Sequence, residues 1–312
     1  MKFDDSFFEG EMKENFYVRP MIKRVWAAQM ELLEAIDMIC KKHQIMYFAD
    51  WGTLLGAVRH HGFIPWDDDL DIGMRREDYE RFLFYAQTEL PEGMEILNFY
   101  TDAEYQEVMS QVRNGNKIDF SEEFLQKYHG CPYVVGVDIF PKDYIPRNKE
   151  DEETLLQILT TANVLAQNWN STQVSDEEKQ RLLAIVMETT GYEPNIDMPM
   201  SQQLYQISDK LCALYSREES DEITQMCVLA MNRNFRLPLH CYDSTIDMPF
   251  EHITIPVPME YNRILKLYYG ENYMTPVKQR GGHDYPFFRK QEERLRELFA
   301  SANLAFPDCF AK

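Results

Sequence analysis

Four carboxylates stand within five positions in Asp67-Asp68-Asp69-Leu70-Asp71, and the chain turns apolar at Ile72. In a strand, successive side chains face opposite sides, so Asp69 and Asp71 would project together while Leu70 and Ile72 enter the core. Two ionised carboxylates side by side repel each other, and a hard divalent cation relieves that repulsion. Mg²⁺ is usually held by carboxylates together with substrate phosphates, so the pattern suits metal-assisted phosphoryl chemistry. An isolated Asp run is more often a solvated acidic turn. Two features favour chemistry here. Upstream, Gly52-Thr53 suit a turn and N-cap leading into a short helix, whose first N–H groups can hold a phosphate. Downstream, Val134-Val135-Gly136-Val137-Asp138-Ile139-Phe140 is an apolar strand with one carboxylate near its end. Asp138 would complete the metal site or act as base on an acceptor hydroxyl; read alone, it is equally a strand-end residue capping a turn.

These residues need elements to position them. Apolar residues at three- and four-residue steps predict an amphipathic helix over Pro20–His43. A short strand at 45–50, the Gly52-Thr53 turn and helix, a loop at 62–66, a strand at 69–74 and a helix at 77–90 follow, the last closed by Pro91. Strands are expected at 94–100, 107–113 and 133–140. The back half reads as mostly helical over 150–190 and 201–217, then a strand at 252–257 and helices at 258–269 and 289–302. The pattern implies an α+β fold, with a core over 1–147, a mainly helical insertion over 148–249 and a C-terminal segment, 250–312, that returns to the core.

Composition narrows the function. Of 312 residues, 52 are Asp or Glu against 32 Lys or Arg, a net charge of −20. Nucleic-acid binders need a basic footprint, and adhesion to anionic lipid needs one too, so neither is expected. Residues 1–16 are acidic and lack the apolar stretch of a secretory signal. The longest uncharged stretch, 154–175, is interrupted by Gln and Asn and does not read as a membrane span. Cys40, Cys131, Cys212, Cys227, Cys241 and Cys309 are scattered with no CxxC pair, which points to reduced thiols in a cytoplasmic protein and away from structural zinc.

The run from Gly52 through Gly56-Ala57-Val58-Arg59-His60-His61-Gly62-Phe63-Ile64-Pro65-Trp66 to Asp71-Ile72 closely resembles the core motif of the LicD family. Val137-Asp138-Ile139-Phe140-Pro141, the stretch from Phe250-Glu251 through Val257-Pro258, and Tyr268-Tyr269-Gly270 extend the likeness, as does the stretch from Pro276 to His283. The family comprises phosphotransferases of the nucleotidyltransferase fold, among them phosphorylcholine transferases and fukutin-related ribitol-phosphate transferases.

The resemblance implies a CDP-alcohol donor, CDP-choline foremost, with CMP leaving and the phosphoalcohol passing to a sugar hydroxyl on a surface glycan or its lipid-linked precursor. It implies Asp69 and Asp71 as paired ligands for Mg²⁺ (Mn²⁺ the alternative) and Asp138 as the third carboxylate, with Asp67 joining them. Gly52 and Thr53 would sit at the donor phosphates, and Arg59 would neutralise the pyrophosphate, although a surface helix cation is an equal reading. His283, beside Gly281 and Gly282, is an active-site candidate because glycines admit a close ligand. A lipid-linked acceptor would bring the protein to the inner face of the membrane. For a quaternary ammonium, Trp51, Trp66, Tyr133, Phe140, Tyr144, Tyr268 and Tyr269 are the aromatic candidates. A nucleotidyltransferase releasing pyrophosphate from CTP or ATP, and a non-catalytic binding protein, are the other readings.

Overall fold

The computed structural model describes residues 1–278, 285–307 and 310. A short hairpin of β1 (Glu11–Lys13) and β2 (Phe16–Val18) leads into α1 (Pro20–His43). Pro20 suits the first helical position, where no N–H is required, and Gln44 ends the helix in the left-handed conformation. Val25, Trp26, Leu33 and Ile36 of α1 are buried, as the apolar spacing predicts.

β3 (Phe48–Ala49) and α2 (Trp51–His60) come next. The N-cap residue of α2 is Asp50, not Thr53 as the sequence suggests. Thr53 lies inside the first turn because its hydroxyl is needed elsewhere: Oγ1 accepts the N–H of Asp71 at 2.8 Å. The expected strand at 69–74 also starts later, as β4 (Asp71–Arg75). Asp67 and Asp69 therefore reach the site from a loop rather than by strand alternation. The loop is fixed by α1, whose Trp26 Nε1 donates to Asp67 O and whose Gln29 Nε2 donates to Asp68 O, each at 3.0 Å. Carbonyls that would otherwise seek a neighbouring strand are satisfied by side chains.

α3 (Arg76–Glu89), β5 (Glu95–Leu97), β6 (Ser110–Arg113), α4 (Glu122–Lys127) and β7 (Gly136–Pro146) complete the front half. The sheet runs β3-β4-β7-β6-β5, with β4 and β7 parallel and the other pairs of that path antiparallel. β7 extends six residues past the expected end at Phe140, because Asp143–Pro146 find a second partner beyond the first sheet segment.

That partner comes from the back half. α5 (Lys149–Asn168), α6 (Asp176–Thr190) and α7 (Met200–Cys212) occupy the stretches expected to be helical, with a break at 169–175 and an end at Cys212 rather than Arg217. β8 (Ser220–Thr224) then pairs antiparallel with β7, α8 (Met226–Met231) follows, and β9 (Leu237–Pro238) pairs with β8. The mainly helical stretch is thus joined to the sheet by a strand. Its helices also share cores with the front half: Leu155, Leu156 and Leu159 pack with Ile145, and Ile158, Ala162 and Leu165 with Leu97 and Phe99.

The C-terminal stretch lies against the front half. The hairpin β10 (Thr245–Phe250) and β11 (Ile253–Pro258) packs beside β3 and α2, and α9 (Tyr261–Tyr269) beside α2. α10 (Arg289–Ser301) places Leu295 and Phe299 in the main core. The result is a mixed α+β fold, a curled mixed sheet flanked by helices, as expected. Among the described residues no helix is long and apolar enough to cross a membrane.

Helix α2 sits so close to the following loop that a side chain on Gly56 would collide with the Gly62 carbonyl oxygen. Alanine is the better helix former, yet backbone is the neighbour here and cannot swing aside. Gly56→Ala is expected to lower stability by about 1–3 kcal/mol in urea unfolding; a stabilised variant would show that this approach does not constrain the fold.

Candidate active site

The parallel pairing of β4 with β7 sets Asp71 directly opposite Asp138. In-register neighbours share a face and lie on strands about 4.8 Å apart, so two residues far apart in sequence become adjacent carboxylates. Asp138 is locked there by its own N–H, which donates to Leu70 O at 2.9 Å. Asp69 and Asp67 join them from the loop. Burial pushes the Asp71 carboxyl well above the usual range, and the charges of Asp69, Asp138, Asp67 and Asp50 push it further. Asp67 is raised in the same way, by burial and then by Asp69, with which it shares a hydrogen bond. Burial raises Asp138 to about 7, opposed by a hydrogen bond from Gln111 and assisted by Asp69. All four expected carboxylates therefore converge. Asp68 plays a different part. It is fully buried, and its Oδ2 accepts the Phe287 N–H at 2.8 Å, tying the C-terminal segment to the acidic loop.

Gly52 and the start of α2 border this cluster. A Cβ on Gly52 would lie 2.5 Å from Asp67 Oδ2, so the glycine is what lets that carboxylate approach. The first intrahelical bond of α2 runs from Leu54 N–H to Asp50 O, which leaves the N–H groups of Trp51, Gly52 and Thr53 without intrahelical acceptors. Asp50 does not cap them with its side chain. Trp51 takes a φ of +40°, a left-handed conformation that costs a non-glycine residue energy and is typical of functional sites.

Arg59 lies in the last turn of α2, about 10 Å along the axis from Gly52. Its guanidinium donates to Tyr273 O at 2.8 Å, and burial lowers its pKa against the charges of Glu14 and Tyr269. His283 lies outside the described residues.

Several residues that hold the carboxylate cluster in place are not evident from the motifs. Lys142 and Asp50 form a fully buried ion pair at 2.5 Å, and Tyr268 OH donates to the other Asp50 oxygen at 3.0 Å. This explains why Asp50 leaves α2 uncapped. The signal was present as period-two alternation, since Asp138, Phe140 and Lys142 fall on one face of β7, but Pro141 suggests a strand end. On β6, Gln111 lies opposite Asp138 and donates to Asp138 Oδ1, while Arg113 Nε donates to Gln111 Oε1. Gly136 makes room for the Gln111 side chain.

Of the aromatic candidates, the structure gathers Trp51, Phe140, Tyr268 and Tyr269. Trp51 stacks on Tyr268 at 4.4 Å between centroids and on Phe235, which the sequence did not suggest, at 5.5 Å. Phe140 meets Trp51 edge-on at 6.4 Å. The Lys142 ammonium lies 5.8–5.9 Å from the ring centroids of Trp51, Tyr242 and Tyr268. Tyr133 instead stacks on Phe288, Tyr144 hydrogen-bonds Glu77, and Trp66 packs with Phe16 and His60.

Among the described residues, no group of three or more His, Cys, Asp or Glu side chains is arranged to hold a metal ion by itself. The donor set still fits a hard cation: every group is a carboxylate, and each raises its neighbours' affinity for positive charge. Mg²⁺ in particular needs only one or two protein carboxylates when substrate phosphates supply the rest.

Residues 44–153, which contain the whole carboxylate cluster, match the family described as LicD/FKTN/FKRP, nucleotidyltransferase domain. Over those residues the chain is similar to that family. The lipopolysaccharide cholinephosphotransferase LicD of Haemophilus influenzae is 46% identical over 54 residues, 17% of this chain and 20% of that protein. Uncharacterized proteins of Rickettsia typhi and Rickettsia prowazekii are 50% identical over 52 residues and 52% over 48, covering 17% and 18% of their lengths. The chain thus spans a fifth or less of the length of these relatives, a short stretch of high identity.

Two expectations follow from the electrostatics. The folded Asp138 titrates near 7 against an ordinary value of 3.8, so between those pH values the folded protein holds a proton that the unfolded chain releases. Its contribution to stability therefore falls as pH rises through that window. In urea unfolding without metal, Asp138→Asn should gain on the wild type from about pH 4.5 upward and level off above about 7; a constant difference would contradict the raised value. Lys142→Met should lose about 3–5 kcal/mol by stranding Asp50 as a buried charge, and adding Asp50→Asn should recover much of it. Equal loss in the double variant would mean that packing, not charge, sets the effect.

Proposed function

We propose that this protein is a phosphotransferase that moves a phosphoalcohol, phosphocholine foremost, from a CDP-alcohol donor to a sugar hydroxyl of a surface glycan or its lipid-linked precursor, with CMP leaving. The observation that carries the reading is the in-register pairing of Asp71 with Asp138, with Asp67 and Asp69 gathered beside the uncapped start of α2. The name of the Haemophilus relative supports choline as the alcohol and lipopolysaccharide as the acceptor class.

Asp67, Asp69, Asp71 and Asp138 would hold Mg²⁺, or Mn²⁺, together with the donor phosphates. Held there, such an ion would supply charge compensation for the transferring phosphoryl group. The chain's own groups supply the rest. The first-turn N–H groups of α2 hold donor phosphate oxygens, with Gly52 letting the Asp67 carboxylate stand close beside them. Arg59, its charge held in a half-buried place, offers a bidentate fork to the phosphate oxygens of the departing CMP. Asp138 orients the attacking hydroxyl and accepts its proton, with the Gln111 bond fixing one of its oxygens in place. Phe140 and Tyr269 are the rings of the aromatic wall that would meet a quaternary ammonium, since Trp51, Phe235 and Tyr268 stack on one another and Lys142 lies against Trp51 and Tyr268. A lipid-linked acceptor would place the reaction at the inner face of the membrane.

Incubation with CDP-choline, Mg²⁺ and deacylated lipopolysaccharide is expected to release CMP and label the glycan. Asp71→Asn should reduce that transfer by roughly 10²–10³-fold or more while circular dichroism shows the fold retained. Pyrophosphate release from CTP, with no CMP from CDP-choline, would establish the nucleotidyltransferase reading instead.

A further inference from the structure

A cavity of about 780 Å³ borders the carboxylate cluster without touching any residue of α2. Asp69 and Asp138 border it, whereas Asp71, Asp67, Gly52 and the aromatic wall do not. Gln29 also lines it. This side chain is only 2% exposed, and while Nε2 holds the acidic loop, Oε1 has no hydrogen-bond partner among the described residues. A buried amide oxygen left unpaired is costly, and one lining a cavity calls for a ligand that brings a donor. Val134, Val135, Ile118 and Leu298 give the cavity aliphatic surface; Asp68, Asp69 and Asp138 stand against Arg113, which Gln111 engages, and against the exposed Lys117 and Arg294. Lys117 is exposed, and the Arg294 pair with Glu297 is a solvent-exposed one of small worth.

Phosphoryl transfer proceeds in line, with the attacking oxygen and the leaving group on opposite sides of phosphorus. If the donor phosphates lie at the start of α2, the attacking hydroxyl must arrive from across the carboxylates. The cavity is where that approach ends, bordered by Asp69 and Asp138. A pyranose matches the lining chemically, with hydroxyl donors for Gln29 and C–H faces for the valines, and the cations single out a negatively charged substituent.

We propose that this cavity is the subsite for the acceptor saccharide and that it favours a saccharide bearing an anionic group, an inference that rests on the phosphotransfer reading above. Calorimetric titration of the full chain with glucose and glucose 6-phosphate as acceptor probes, and with CDP-choline plus Mg²⁺ as donor probe, tests it. Glucose 6-phosphate should bind more tightly than glucose. Lys117→Glu/Arg294→Glu should weaken glucose 6-phosphate by about tenfold, while CDP-choline affinity stays within about twofold. Gln29→Leu should weaken both sugars; it also removes the bond to the acidic loop, so the surface pair carries the test if that variant unfolds. No saturable sugar binding, or sugar affinities unchanged in the charge-reversed variant, would overturn the assignment. Loss of CDP-choline binding in that variant would overturn it in favour of a nucleotide pocket. Refusal of CDP-choline by the wild type would defeat the phosphotransfer reading, and the acceptor role with it, even where sugar binding is intact.

Discussion

Like charges in a low-dielectric setting repel strongly, and this protein holds Asp67, Asp69, Asp71 and Asp138 together with Asp50 close behind them. Much of the surrounding architecture is a response to that constraint. Asp50 is neutralised by Lys142, a lysine with no exposed surface, and the pair is braced by Tyr268. Asp138 receives an amide hydrogen from Gln111, itself held by Arg113. Backbone donors at the start of α2 face the same region. What the carboxylates retain after these responses is an affinity for a cation and for the phosphates that accompany it, which is the property a phosphoryl-transfer site requires.

β7 is the element through which these responses are coordinated. Its first half lies between β4 and β6, so that Asp138 meets Asp71 on one side and Gln111 on the other. Two residues on, the same face carries Phe140 into the aromatic wall, and two further Lys142 into the buried pair. Its last residues pair with β8 and draw the helical stretch against the sheet. Arg76 reinforces that union from within: its guanidinium reaches Asp143 at 2.7 Å and Asp209 of α7 at 2.8 Å. A buried cation shared by two carboxylates fixes orientation more than it adds stability, and here it sets α7 relative to the strand that bears the site.

The acidic loop shows the same economy of parts. Trp26 and Gln29, one turn apart on α1, hold successive carbonyls of Asp67 and Asp68, while the Asp68 side chain anchors residue 287. Loops position catalytic groups well when a rigid element holds them. A 24-residue helix with one face buried is such an element. The inner face of α1 thus serves the core and the site at once.

The local parts were legible in the sequence. The periodicity of α1, the strand and helix order of the front half, the helices of 149–212 and the Gly52 to Ile72 motif follow from propensity, patterning and turn chemistry, which act over a few residues. The motif named the carboxylates even where the proposed route, alternation along one strand, holds only for Asp71. Other features were settled by the tertiary structure. Parallel pairing of β4 with β7 decides that Asp138 meets Asp71. Pro141 hides the continuation that delivers Lys142, and Gln111 declares its role only once β6 lies beside β7. Strand pairing, burial and charge compensation depend on residues far apart in sequence, so the short-range signals that specify helices and turns carry no record of them.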